Sequence, residues 1–168
     1  MRFFVIHPKA HVERPEQVSD SATIWQFASV TGDTWIGDET VVSPFAMLHG
    51  PHIGKRCRIS GGVMMGPGFI IGDDVFIGPN VTLCNDAWPR AHKDGYDVES
   101  LATRPAVVVH NGASIGANAV ILAGVTIGRN AMIAAGSVVH ADVPAGMLWV
   151  NSGYRAFSGG EERMRYAK

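Results

Sequence analysis

Aliphatic residues return every six positions along almost the whole chain, and very few folds can use that period. The first run is Ile6, Val12, Val18, Ile24, Val30, Ile36, Val42 and Leu48. After a one-residue slip it resumes at Ile53, Ile59, Met65, Ile71, Ile77 and Leu83. A third run, Val109, Ile115, Ile121, Ile127, Ile133 and Val139, follows a longer interruption. Val, Ile, Leu and Met supply 43 of 168 residues, about one in four, so three unbroken runs are not chance. Six of these positions are followed at once by glycine, as in Ile36-Gly37 and Ile115-Gly116. A small or branched residue often returns four places on, as at Ala22, Ala28, Val63, Val75, Ala119 and Val125.

A six-residue period suits neither an α-helix nor one alternating strand. It suits a chain that makes a short strand, turns a third of a circle and repeats, closing an eighteen-residue triangular coil. Each aliphatic residue then points to the axis and stacks on those eighteen positions away, Ile24 on Val42 and Ile115 on Ile133. Glycine after the axial residue suits a corner where backbones approach closely. The expected fold is all-β, a parallel β-helix over residues 1–142 with a cap or tail over 143–168. At roughly 4.8 Å per coil, nearly seven coils make a prism about 30 Å long. The general rule for parallel connections favours a right hand.

Composition narrows the function classes. A net charge of −1, with basic residues clustered only in Arg163–Lys168, argues against a nucleic-acid partner. Residues 1–10 lack the apolar centre of a secretory signal and no run is long enough for a membrane span, so a cytoplasmic protein is expected. Cys57 and Cys84 fall at different repeat positions, which disfavours a disulfide framework.

The breaks in the period carry the functional signal. Residues 84–106 form an inserted loop that holds no six-residue register and includes Asn85-Asp86-Ala87-Trp88-Pro89-Arg90. Long loops in compact repeats are commonly functional. Here an amide, a carboxylate, an indole and a guanidinium lie within six residues, though a turn-forming amide alone would also explain Asn85. The second break is His49-Gly50-Pro51-His52. Two histidines at a corner can take a proton, hold a metal, or hydrogen-bond the backbone; His110 is a further candidate base.

With these residues in hand, the chain resembles the left-handed β-helix, hexapeptide-repeat acyltransferases. Within them it is most similar to N-acetyltransferases of nucleotide-linked 3-amino sugars. Three segments carry the resemblance: Ile24-Trp25-Gln26-Phe27; Phe76–Arg90, which ends in Asn-Asp-x-x-Pro-Arg; and Gly112 through Pro144. The sequence departs from the family pattern at Cys84, where Thr is usual, and at Gly66-Pro67, where an aromatic-Asp pair is common. The resemblance implies a left-handed coil and a homotrimer with sites between subunits, to which the off-axis Trp25, Phe27, Trp35 and Phe45 would contribute. It implies acetyl-CoA as co-substrate, no metal, and an acceptor held by Gln26, Trp88 and Arg90. Coenzyme A would lie along Ala117 and Ala135, with further contacts at His140, Ala141 and Arg155; Ala141 replaces a common Lys. Asn85 would orient the amine or the thioester, with Asp86 or the departing sulfur accepting the proton and His49 the alternative base.

Three rivals share the coil. A γ-class carbonic anhydrase needs three zinc-binding histidines, with a histidine pair at a spacing this chain lacks. A non-catalytic scaffold would not need the Asn85–Arg90 motif. A sugar O-acetyltransferase would need a firmer base, and the loop has no histidine beside Asn85.

Overall fold

The computed structural model describes residues 6–87, 89, 91, 105–151 and 153–156. They form a parallel β-helix of three sheets, of eight, seven and five strands, wound around one core. In chain order, the first face carries axial residues Ile24, Val42, Ile59, Ile77, Ile115 and Ile133. The second carries Val12, Val30, Leu48, Met65, Leu83, Ile121 and Val139. The third carries Ile36, Ile53, Ile71, Val109 and Ile127. The expected stacks are present: Ile24 pairs with Val42 and Ile115 with Ile133.

The two-residue strands suit β-branched residues, whose side chains pack well on a pleated surface. The residues four places after each axial position fill the corners from inside: Ala22, Ala28, Cys57, Val63, Val75 and Ala119 are all buried. Each fully buried aliphatic side chain contributes about 1.5–3 kcal/mol, so the axial column is the main source of stability. Burial pushes the Cys57 thiol up from its ordinary pKa, and its sulfur lies 3.0 Å from the Gly72 carbonyl oxygen.

Close coil-to-coil approach explains the glycines that follow the axial residues. A Cβ at Gly116 would stand 2.5 Å from the backbone nitrogen of Ala135, a distance no relaxed side chain permits. The axial stack runs past Val139: Val143 bridges to Ile127, and Trp149 pairs with Ile133. Trp149 is buried at 1% and closes the end of the column. Its indole N–H lies 3.1 Å from the carbonyls of Val138 and Asn151, which meets the cost of burying a donor. Among the described residues, no helix is long and apolar enough to cross a membrane.

Candidate active site

Every departure from the six-residue interval falls at one of the three corners. From first to second face the axial residues are always six apart, and from third to first likewise, Ile53 to Ile59 for example. From second to third face the interval is 5 at Leu48–Ile53, 26 at Leu83–Val109 and 4 at Val139–Val143. The two sequence breaks are therefore stacked on one edge of the prism.

The short break aims His49. Gly50 adopts a left-handed φ of 85° to turn the corner one residue early. Its N–H donates to the Thr31 carbonyl (3.1 Å) and the Thr34 hydroxyl (2.7 Å). Thr34, 2% exposed, in turn donates to the Thr31 carbonyl at 2.6 Å. His49 then projects outward beside the coil below, its Nδ1 2.9 Å from the Thr31 hydroxyl. Thr31 and His49 pair across neighbouring coils.

The long break aims Asn85. The Cys84 N–H still donates to Ile121 of the next coil at 2.9 Å, so the scaffold holds the chain up to the residue before Asn85. The chain rejoins the third face where the Ala106 N–H donates to Gly68 (2.7 Å) and Val107 pairs with Phe69. Asn85 is half-buried, and its carboxamide lies across Gly66. A Cβ at Gly66 would stand 3.0 Å from Asn85 Nδ2. The missing side chain at Gly66 leaves the gap that the amide occupies.

His49 and Asn85 thus line one groove of about 320 Å³ on the second face. Its outward side chains include Ser29, Thr31, Met47 and Met64. A second groove of about 530 Å³ lies on the third face, lined by Asp33, His52, Phe69, Ile70 and Pro105 among others. His49 stands on the ridge and borders both. A corner that presents an imidazole and a carboxamide to one groove can orient a nucleophile and stabilise developing charge.

The other expected residues are placed as follows. Asp86 follows Asn85 and is half-buried. Trp88 and Arg90 lie outside the described residues. Gln26, half-buried between Trp25 and Phe27, sits at the first–second corner, across the second face from His49. Ala117 and Ala135 stack at that same first–second corner, where the Gly136 N–H donates to the Ala117 carbonyl at 2.9 Å. His140 and Ala141 lie at the second–third corner in the last coil, with the His140 ring 5.3 Å from Trp149, edge-on. Arg155 is on a terminal strand that runs antiparallel to residues 147–150. Hence His49 and Asn85 come together, while the five cofactor candidates are spread over two corners and the terminal strand. Among the described residues, no three His, Cys, Asp or Glu side chains converge as a metal site would require.

Sequence reasoning passed over Thr31, Gly66, Met47 and Met64. Stepping one coil from His49 would have found Thr31, eighteen residues back, and Gly66, seventeen on. Two ion pairs of the described residues lie elsewhere, at the third–first corner. There Lys55 and Arg56 hold Asp38 and Asp74 below the usual carboxylate range.

Known proteins match this architecture. The family model described as bacterial transferase hexapeptide (six repeats) matches residues 50–85 and 106–141, the coils on either side of the loop. A hexapeptide-repeat acetyltransferase of Vibrio cholerae O1 biovar eltor, solved with acetyl coenzyme A, is 30% identical, with TM-score 0.55; the match covers 74% of this chain and 69% of that one. Two further structures share the fold. The product of a Bacillus cereus gene has 21% identity and TM-score 0.63, over 89% of this chain and 83% of that one. The UDP-N-acetylglucosamine O-acyltransferase of Moraxella catarrhalis has 19% identity and TM-score 0.53, over 96% and 77%. The six-residue coil, its seven-stranded face and the 30% identity to the Vibrio enzyme together make this chain a member of the hexapeptide-repeat acetyltransferases.

Proposed function

We propose that this protein transfers the acetyl group of acetyl-CoA to the amino group of a nucleotide-linked amino-deoxy sugar, as a step in making a surface polysaccharide or glycoconjugate. The observation that carries this reading is the pairing of Asn85 with His49 in one groove, beside a loop whose Asn85-Asp86-x-x-Pro89-Arg90 resembles that of amino-sugar N-acetyltransferases. The Vibrio relative's complex with acetyl coenzyme A supports the donor.

In this reading the neutral amine attacks the thioester carbonyl, the C–N bond forms and the C–S bond breaks. The Asn85 carboxamide donates to the oxyanion or orients the amine. The proton leaves to Asp86, His49 or the departing sulfur, which becomes the thiol of coenzyme A. Holding both reactants in line supplies much of the rate, and a carboxamide fixed over Gly66 needs no reorganisation.

Coenzyme A would run along Ala117 and Ala135, one and two coils beyond Asn85, with His140, Ala141 and Arg155 toward its phosphates. That corner and the Asn85 corner flank opposite margins of the second face, about 16 Å apart for five extended residues. A homotrimer would bring the lane of one subunit to the groove of the next, with exposed Trp35 and Ile70 of the third face available for contact. Light scattering that finds a monomer at working concentration would sink the shared site.

A second reading, O-acetylation of a sugar hydroxyl with His49 as base, is favoured by one observation: His49 is held by Thr31 at the rim of the same groove. Thiol release from acetyl-CoA with a panel of amino sugars and their hydroxyl counterparts, free and nucleotide-linked, decides between them. Release with the hydroxyl series alone would overturn N-acetylation.

A further inference from the structure

The second face bears an aromatic feature that acyl transfer does not use. At the first–second corner, the third residue after each axial position from Ile24 to Ile133 has a left-handed backbone. Later coils place Gly or Asn there: Gly62 (φ 73°), Asn80 (57°), Asn118 (57°) and Gly136 (71°). The second and third coils place Phe27 (62°) and Phe45 (64°). A bulky side chain is strained in this region; Glu39, Arg56 and Asp74 share the φ at the third–first corner, so what sets this station apart is an exposed aromatic pair rather than the φ alone. Burial does not offset the strain, because the two rings are 51% and 64% exposed.

The rings stack on one another, centroids 5.4 Å apart and planes 17° from parallel. Lys9 Nζ stands 5.7 Å over Phe27 and closes one end of the stack. At the other end Phe45, the more exposed of the two rings, faces the station of Gly62, where the Asn80 carboxamide folds into the place of the missing side chain. Phe45 at the corner and Met47 and His49 on the strand that follows are alternate outward residues, on the order of 13 Å from first to last. That is the reach of an extended nucleoside diphosphate with its sugar ring.

We propose that Phe27 and Phe45 form a stacking platform for the nucleobase of the acceptor, placing its sugar amine at the His49–Asn85 groove. The inference rests on the N-acetyltransferase reading above and adds where the nucleotide is held. Aromatic faces bind bases of any sequence through stacking worth about 1–3 kcal/mol per base, or roughly five- to 150-fold in affinity.

The test uses Phe45→Asn and the double variant Phe27→Asn/Phe45→Asn, because Asn80 and Asn118 show that this station accepts asparagine. We expect a melting temperature equal to or above that of the parent and an unchanged oligomer by light scattering. The KM for the nucleotide-linked amino sugar should rise at least about tenfold, with the KM for acetyl-CoA unchanged. Calorimetry with uridine, thymidine and guanosine diphosphates as probes should lose affinity by a similar factor for whichever binds the parent. Unchanged nucleotide affinity would overturn the platform, as would dissociation of the oligomer, which would make the stack a subunit contact. If the parent acetylates a free amino sugar as well as its nucleotide-linked form, the platform falls and N-acetyl transfer stands. If no amino sugar is acetylated but a nucleoside diphosphate binds and Phe45→Asn weakens it, the platform stands and the acceptor assignment falls.

Discussion

Two corners of the same prism obey opposite rules. At the third–first corner the axial interval is always six, and neighbouring coils are fastened together: Lys55 to Asp38 at 2.8 Å, and Arg56 to Asp74 through two contacts of 2.7 Å. The Lys55 and Asp73 N–H groups add bonds to Asp73 (2.8 Å) and Asn111 (3.1 Å) side chains one coil on. At the second–third corner the first two coils are tied by Arg14 to Asp33 and by the Gly32 N–H to Glu13 (2.8 Å), but from His49 on the interval ranges from 4 to 26 and side chains point into grooves. A corner residue lies between strands, so changing its length leaves the ladders on both faces intact. A repeat can therefore keep one corner for stability and free another for chemistry.

The largest effect expected from this contrast is on stability. Gly54, at the regular corner, faces backbone: a Cβ there would lie 2.6 Å from the Gly72 carbonyl oxygen and 2.5 Å from Asp73 Oδ1. Gly54→Ala should cost about 2–3 kcal/mol through overpacking, or roughly 5–10 °C in melting temperature for a chain this long. Turnover per folded molecule should not change. Calorimetric melting and single-point activity on the same sample check both halves, and an unshifted melting temperature would break the comparison.

At the irregular corner the effects should move to kinetics. Asn85→Ala should lower kcat at least about tenfold, roughly 1.4 kcal/mol of transition-state stabilisation. Coenzyme A affinity should scarcely change, and His49→Ala should cost less. Should His49→Ala abolish turnover while Asn85→Ala stays near the parent, the proton path belongs to His49. A finer version uses Gly66, whose added Cβ would press on the end of the Asn85 side chain at 3.0 Å and meet Phe69 Cε2 at an ordinary 3.7 Å. Gly66→Ala should reduce kcat about threefold, or ~0.7 kcal/mol, with a melting temperature close to that of the parent. Paired with Gly54→Ala, it is the same substitution one coil on, at a different corner. A large loss of stability at Gly66 would show that both corners are scaffold.

How far the sequence reveals this contrast depends on what each feature requires. The axial column is legible because burial selects residue type at a fixed interval, and Ile24 or Ile115 announces itself. The end of the column is less so: Val143 follows Val139 by four residues, so Trp149, though six after Val143, stands sixteen rather than eighteen after Ile133. Asn85 and His49 are visible as residues beside breaks in the period. That the two breaks share an edge follows from their positions modulo eighteen once each interval is assigned to a corner. What composition hides is contact through absence. Gly66 matters because it leaves space for Asn85, and nothing in a lone glycine distinguishes that from the glycines required for coil approach. The left-handed φ of Phe27 and Phe45 is likewise invisible in sequence, since phenylalanine is an unusual choice at such a station.

The smallest effect tests the regular corner through pH. The Arg56 guanidinium, hydrogen-bonded to Asp74, holds that carboxyl below its usual value, and Asp74 keeps the Arg56 charge bound in return. Because the folded pKa of Asp74 lies below the unfolded one, the pair's contribution is complete above the ordinary carboxylate pKa of about 3.9. It is lost as pH falls through the folded value. Both side chains are about half exposed, at 47% and 52%, so solvent screens the pair and the effect on stability is slight. Asp74→Asn should therefore lower the melting temperature slightly at neutral pH, and the gap from the parent should close on acidification through the carboxylate range. Raising ionic strength should narrow it at neutral pH as well. The measurement is a series of melting curves for parent and variant across that range, with turnover at neutral pH as the control. A gap that survives at low pH would place the loss in packing rather than charge. A fall in kcat would show that the regular corner is energetically coupled to the groove, so that the two corners do not divide stability from chemistry.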